Sequence, residues 1–331
     1  MGEEKRHIVF IDLLGIRRNL LYGEARYAKE KVIALASIVE NMHKDYPDVR
    51  IHGSSDFFIL YGMKPDMGWI TAQAAIRIFG DFYDLNDQKN IKNISAAYLL
   101  RGGFAYGEVE EISKSTDRIN YYFALGDGLG SAYETLYLGR GMRLFIQQGA
   151  SRHFIPMVKQ IKNGIHEIRI DKCYATDGRI LSSELRWVGA YGEAEHRLKR
   201  AEILFRKALT AFRRREITED IVEHYQQTLC AILRGCSSPR SLLHFLDSRH
   251  GQTRHHKFMA PVWATAWLRL LRPKNADYLP EIRDTLWQKF LTVSGTSGMG
   301  EVAATLHQRN RWRPLLRFLK KGEVRFGARK R

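Results

Sequence analysis

The chain has 331 residues, 44% hydrophobic and 27% charged, enough apolar material for one large domain or two ordinary ones. No apolar run approaches the roughly 18–20 residues that span a bilayer. The start Met1-Gly2-Glu3-Glu4-Lys5-Arg6 has no signal-peptide core, and Arg6 stands where a myristoylation motif wants Ser or Thr, so a cytoplasmic protein is expected. The net charge of +17 is uneven: residues 1–180 hold 24 Lys+Arg against 22 Asp+Glu, and residues 181–331 hold 29 against 14. A basic second half is expected to meet something anionic: nucleic acid, a membrane surface or an acidic partner. Cys173, Cys230 and Cys236 are too few and too unevenly placed for a disulfide framework or a four-ligand zinc site, and read as reduced and buried.

His7 to Leu14 is a continuous apolar run, suited to a strand covered on both faces and ending at Gly15. A helix is expected over about 24–44, with Ala28, Val32, Leu35, Ala36 and Val39 on one face. Val49 to His52 and Phe57 to Tyr61 form a hairpin about Gly53-Ser54-Ser55-Asp56, which puts an acid at its tip. Ile70, Ala74, Ile78 and Phe82 mark a helix over 69–83. A strand over 94–105 is expected to be interrupted by Arg101-Gly102-Gly103, and Tyr121 to Leu125 forms another. A short helix follows over 131–138, opened by Gly128 and Gly130, and Ile165 to Ile170 closes the set as a strand. Such an order builds a mixed sheet with helices packed against it, an α+β arrangement.

The pattern changes near Ser182, which sets expected domains of 1–181 and 182–331. From Glu193 to Arg214, Leu198, Ala201, Leu204, Phe205, Ala208, Leu209 and Phe212 recur at helical spacing with basic residues between them. Further helices are expected at 218–234, 240–247, 261–271, 279–291, 300–308 and 312–320, making the second part all-α. Trp263, Trp267, Trp287 and Trp312 read as core, and His244, His250, His255 and His256 as a solvated basic stretch whose spacing matches no standard metal site.

Asp12 and Asp56 carry the chemistry. If the first strand lies beside the hairpin, both carboxylates converge at one end of the sheet and can hold two divalent cations. Such ions neutralise a nucleotide triphosphate and activate an oxygen nucleophile for in-line attack on phosphorus. The amides from Leu14 to Arg17, running off a strand through Gly15, are placed to cradle phosphates. Asp12 in isolation reads more readily as a cap or turn former than as a catalytic acid, and the pair is more informative than either alone. Gly126-Asp127-Gly128-Leu129-Gly130 lacks the third glycine at the spacing of a dinucleotide fingerprint and the acid about 20 positions on.

Phe10-Ile11-Asp12-Leu13-Leu14-Gly15-Ile16, Gly53-Ser54-Ser55-Asp56-Phe57-Phe58-Ile59 and Leu100-Arg101-Gly102-Gly103-Phe104-Ala105-Tyr106-Gly107 resemble the three signature blocks of class III nucleotidyl cyclases. Within that family they are most similar to the bacterial pyrimidine cyclases of Pycsar anti-phage defence. The resemblance covers about residues 7–140. It implies a ferredoxin-like, palm-like catalytic sheet that works as a homodimer. Asp12, Asp56 and the carbonyl of Leu13 would hold two Mg²⁺ or Mn²⁺ ions. A nucleoside triphosphate, UTP more than CTP, would cyclise through its own 3′-hydroxyl and release pyrophosphate. Leu13, Leu14, Gly15, Ile16, His52, Phe123 and Arg143 would contact substrate.

His52 stands where the purine members read the base, and it fits neither the adenine nor the guanine pattern, which favours a pyrimidine. It is read equally as a partly buried strand histidine. The purine members' Asn and Arg on the helix after the glycine turn are replaced by Gly130 and Glu134, so transition-state charge falls to Arg101, Arg140 or Arg143. The other reading is a nucleic-acid-binding protein with a degenerate cyclase-like domain, binding through Arg213-Arg214-Arg215, Arg309-Asn310-Arg311, Lys320-Lys321 and the tail Arg329-Lys330-Arg331. On the cyclase reading the basic helical half regulates the enzyme, recognises a phage component or reinforces the dimer.

Overall fold

The computed structural model describes residues 4–54, 56–88, 93–115, 120–147, 150, 170–174, 180–188, 194–236 and 239–247, with scattered positions between 258 and 269. Strand β1 (Lys5–Leu13) is followed by a short helix α1 (Ile16–Leu21), helix α2 (Ala25–Asp45), the hairpin β2 (Val49–Gly53) and β3 (Phe57–Gly62), and helix α3 (Gly68–Gln88). Then come β4 (Leu100–Glu108), the hairpin β5 (Glu110–Ser115) and β6 (Asn120–Leu125), and helix α4 (Asp127–Leu136). Strands β7 (Leu144–Ile146), β8 (Ile170–Tyr174) and β9 (Ile180–Leu185) precede helices α5 (Ala194–Arg213), α6 (Glu219–Gly235) and α7 (Pro239–Asp247).

Seven strands form one sheet in the order β2-β3-β1-β4-β7-β9-β8, with β5 and β6 as a separate ribbon. Only the β4–β7 pairing is parallel among these ladders. The segment β4-β1-β3-β2 with α2 and α3 is the βαββαβ ferredoxin-like arrangement. Strand β1 lies at its centre because its residues are apolar on both sides. Val9, Ile11 and Leu13 join the core with α2 and α3, while Ile8 and Phe10 join a smaller cluster with Ala132 and Leu136 of α4. Ala28, Leu35 and Val39 of α2, and Ala74, Ile78 and Phe82 of α3, are buried as their periodicity requires.

The expected strand over 94–105 is corrected. Residues 94–96 form a 3₁₀ turn, capped where Asn93 Oδ1 accepts the Ser95 amide at 3.0 Å, and the strand begins at Leu100. Arg101-Gly102-Gly103 runs straight through β4, pairing with Asp12, Ile11 and Phe10. The glycines serve close packing: a Cβ on Gly103 would lie 2.0 Å from the carbonyl oxygen of Ala132, and one on Gly107 would lie 2.6 Å from Cα of Gly128. Helix α4 therefore rests directly on β4, starting at Asp127 behind Gly126. Elements α1, β5, β7, β8 and β9 were not among the expectations; Ile170 of the expected final strand opens β8, and 165–169 lie outside the described residues.

The expected boundary at 181/182 falls inside β9, and α5 and α6 contribute to the same core as the sheet. Arg197 of α5, 1% exposed, donates Nε and Nη2 to the two carboxylate oxygens of Asp84 at 2.8 and 2.6 Å, and Nη1 to the carbonyl of Val188 at 3.0 Å. Tyr225 of α6 donates its hydroxyl to the carbonyl of Ile94 at 3.0 Å. A forked, buried pair of this kind holds one orientation between helices, since loss of either partner strands a charge. Cys230 and Cys236 are buried. The expected helices beyond 270, with the four late tryptophans and His250, His255 and His256, lie outside the described residues. Among the described residues no helix is long and apolar enough to cross a membrane.

Because the Gly103 site has no room for a methyl against backbone, Gly103→Ala should destabilise by about 3 kcal/mol or more. Chemical denaturation reads this directly; an unchanged midpoint would show that α4 does not rest on β4 as described.

Candidate active site

Asp12 lies near the C-terminal end of β1. Asp12 pairs across the sheet with Phe57 of β3 on one side and Arg101 of β4 on the other, so the three lie in one row on the α4 face. Asp12 Oδ2 accepts from Arg101 Nε at 2.7 Å, with the two side chains only 18% and 20% exposed. The Arg101 guanidinium stacks 4.6 Å over the Tyr137 ring of α4, whose hydroxyl bonds that of Tyr133 at 2.9 Å. Below them Phe10 stacks on Phe57 at 4.9 Å and meets the edge of Tyr133 at 5.3 Å.

Asp56, at the entry to β3, accepts the Leu13 amide on its backbone carbonyl at 2.9 Å, which seats the hairpin tip beside the end of β1. The two acids are close enough to act on one another. Burial raises the Asp12 carboxyl above the usual range, Arg101 opposes this through its charge and hydrogen bond, and the charge of Asp56 adds to the rise. Such a carboxylate gains from a cation, and carboxylate and carbonyl oxygens are the donor chemistry of Mg²⁺ and Mn²⁺. Among the described residues no cluster of three or more His, Cys, Asp or Glu side chains is placed to hold a metal. Any divalent cation there would have the two carboxylates as its side-chain ligands, with backbone or substrate oxygens completing the set.

Gly15 turns the chain into α1 with φ of +84°, a conformation that favours glycine. The Leu14 amide is engaged by the Leu99 carbonyl at 3.0 Å, so of the four amides expected to cradle phosphates it is withdrawn. Those opening the first turn of α1 have no intrahelical acceptor. Under this turn lies Lys31, which donates Nζ to Ser95 O at 2.8 Å and Asn19 Oδ1 at 3.1 Å. Burial lowers its ammonium to about 8, against the opposing pull of Glu24.

These groups open onto a cleft of about 1570 Å³. Asp12, Leu13, Leu14, Gly15, Ile16, Asp56 and Arg101 line it on the sheet side, with Tyr133 and Tyr137. Arg17, Arg18 and the α5–α6 corner, including Arg213, Arg215 and His224, line it on the other. Arg18 Nη2 donates to the Glu216 carbonyl at 3.1 Å and joins the two walls. His224 Nδ1 accepts the Gly141 amide at 2.9 Å. The sequence flagged the Arg213–Arg215 cluster for nucleic acid, and Ala132-Tyr133-Glu134 resembles the pyrimidine group; Lys31, Tyr137 and His224 had no local signal, because long-range packing brings them here.

Among the described residues, His52, Arg140 and Arg143 do not line the cleft. His52 Nε2 hydrogen bonds the Tyr61 hydroxyl at 2.7 Å, its ring stacks on Tyr61, and burial lowers its pKa. Arg143 is buried against Glu184, which also accepts from Arg234 at 2.9 Å, so its charge is committed inside the fold. Arg140 pairs with Glu223 at 3.0 Å. Phe123 lies on β6 opposite Ile112.

No protein-family model and no curated protein matches the chain. Among solved structures it is similar to a bacterial light-regulated adenylyl cyclase, at TM-score 0.45 and 13% identity over 62% of this chain and 57% of that one. It is similar to the adenylyl cyclase CyaB from P. aeruginosa, at TM-score 0.42 and 13% identity over 56% of this chain and 94% of that one. The guanylyl cyclase Cya2 gives a TM-score of 0.40 and 10% identity over 56% of this chain and 94% of that one. The match thus spans little more than half the length of the light-regulated cyclase.

Burial, with the charges of Arg101 and Arg140 adding, lowers His224 from 6.5 to about 4. A depressed histidine leaves the fold unpenalised above its unfolded value and costs stability as pH falls from there toward its folded value. His224→Gln, which can still accept the Gly141 amide, should flatten the loss of unfolding free energy between pH 6.5 and about 4. An acid limb identical to that of the wild type would refute a buried neutral imidazole.

Proposed function

We propose that the protein is a nucleotidyl cyclase that converts UTP, or less readily CTP, into the 3′,5′-cyclic nucleotide and pyrophosphate, as a cytoplasmic homodimer producing a second messenger for anti-phage defence. The observation that carries the reaction is the pairing of Asp12 with Asp56 at the mouth of the cleft, with Arg101 beside them. The pyrimidine preference rests on the three sequence blocks, since His52 is turned to Tyr61.

Asp12, Asp56 and the carbonyl of Leu13 would hold the two Mg²⁺ or Mn²⁺ ions, which supply neutralisation of the triphosphate and activation of the 3′-oxygen when bound. The chain's own groups do the rest. Arg101, held by Tyr137 and Asp12, presents a guanidinium at the acids, where it can donate to phosphate oxygens as charge builds at the α-phosphorus. The first turn of α1 offers backbone amides to the anionic tail. Lys31 fixes a positive charge beneath that turn, its ammonium 3.6 Å from where a Gly15 Cβ would lie.

Purified protein incubated with each nucleoside triphosphate and Mn²⁺ in turn should yield cyclic UMP or cyclic CMP by chromatography and mass spectrometry. Asp12→Asn and Asp56→Asn should each lower turnover roughly a thousandfold, the loss of several kcal/mol of charge stabilisation, with the fold intact. Turnover retained in either variant would refute the two-metal site, and no product from any triphosphate would refute the cyclase itself.

A further inference from the structure

Arg215 holds a backbone position that helices normally give to glycine. At the end of α5 the Arg215 amide donates to the Phe212 carbonyl and the Glu216 amide to the Ala211 carbonyl, each at 2.9 Å. This pair of bonds closes a helix through one left-handed residue, most often glycine because a Cβ is disfavoured there. Here that residue is Arg215, with φ of +60°, the one non-glycine residue of positive φ among the described residues. Glycine would adopt this conformation without the strain a Cβ brings, and strained backbone of this kind gathers at functional sites.

Arg215 and Arg213 line the cleft of Asp12 and Asp56 from the corner. The corner is fastened to α1, the element that starts at the Gly15 turn, by the bond from Arg18 to the Glu216 carbonyl. Of the acids beside it, Asp220 accepts from the Thr218 hydroxyl, and Glu216 lies 3.9 Å from Arg214. The exposed guanidinium of Arg215 is suited in charge and shape to an anion.

We propose that Arg215 binds the polyphosphate tail of the substrate from within the same chain, so that the helical half completes the site built on the sheet. The inference rests on the nucleotide reading of the cleft. A guanidinium matches two phosphate oxygens at once, which a lysine ammonium does as a point charge only.

Arg215→Gly separates this role from a structural one, because glycine relieves the backbone while removing the charge. Calorimetric titration of inorganic tripolyphosphate into the full chain should show affinity about tenfold weaker in Arg215→Gly, with Tm equal to or above that of the wild type. KM for the triphosphate should rise with it while kcat changes little, and Arg215→Lys should recover part of the affinity. Equal tripolyphosphate affinity in wild type and Arg215→Gly would overturn the proposal, even if the wild type makes cyclic nucleotide. A wild type that neither binds tripolyphosphate nor forms product would overturn the nucleotide reading as well. Arg215→Asn, which tolerates the left-handed conformation, serves as the second variant and carries the same two outcomes.

Discussion

A carboxylate at the end of a strand covered on both faces must be compensated, and the ion pair between Asp12 and Arg101 supplies this across the β1–β4 ladder. Much of the site follows from that pair. Arg101 is presented to Asp12 because β4 runs unbroken beside β1, and β4 can lie under α4 only because Gly103 and Gly107 carry no side chain. Helix α4 in turn brings Tyr137 over the guanidinium. With Asp56 seated by the Leu13 amide, the two acids and the arginine are brought together by the fold itself.

The elements that were legible in the sequence are those whose pattern is long or chemically marked. The apolar run of β1, the hairpin signalled by Gly53 to Asp56, and the helical periods of α2, α3, α5 and α6 all depend on local spacing, and they appear where expected. Local spacing also suffices to bring Asp12 and Asp56 together, once β1 is known to lie beside the hairpin. What escaped depends on contacts distant in sequence. Strand β7 has three residues and α1 six, too few for a period to show. The glycines after Arg101 suggest a break when read alone, whereas they mark an approach by α4. Arg143 looks available in sequence and is committed to Glu184, a residue 41 positions away.

The uneven charge of the chain also gains a physical meaning. A basic second half suggests an open anionic partner surface, yet two residues of its first arginine cluster line the cleft alongside the acids of the first half. The halves are not independent in this region: β9 joins the sheet, Arg197 forks onto Asp84, and Tyr225 bonds the turn before β4. Anything that moved the α5–α6 corner would move Arg215 and the wall joined through Arg18.

If Asp12 and Asp56 hold two divalent cations against a triphosphate, counting Mn²⁺ by electron paramagnetic resonance on the full chain, saturated with a triphosphate lacking the 3′-hydroxyl, should give two ions per chain with a spin-coupled signal. That signal should be lost in both Asp12→Asn and Asp56→Asn. A single ion, or a pair that persists when either carboxylate is replaced, would refute the two-metal site.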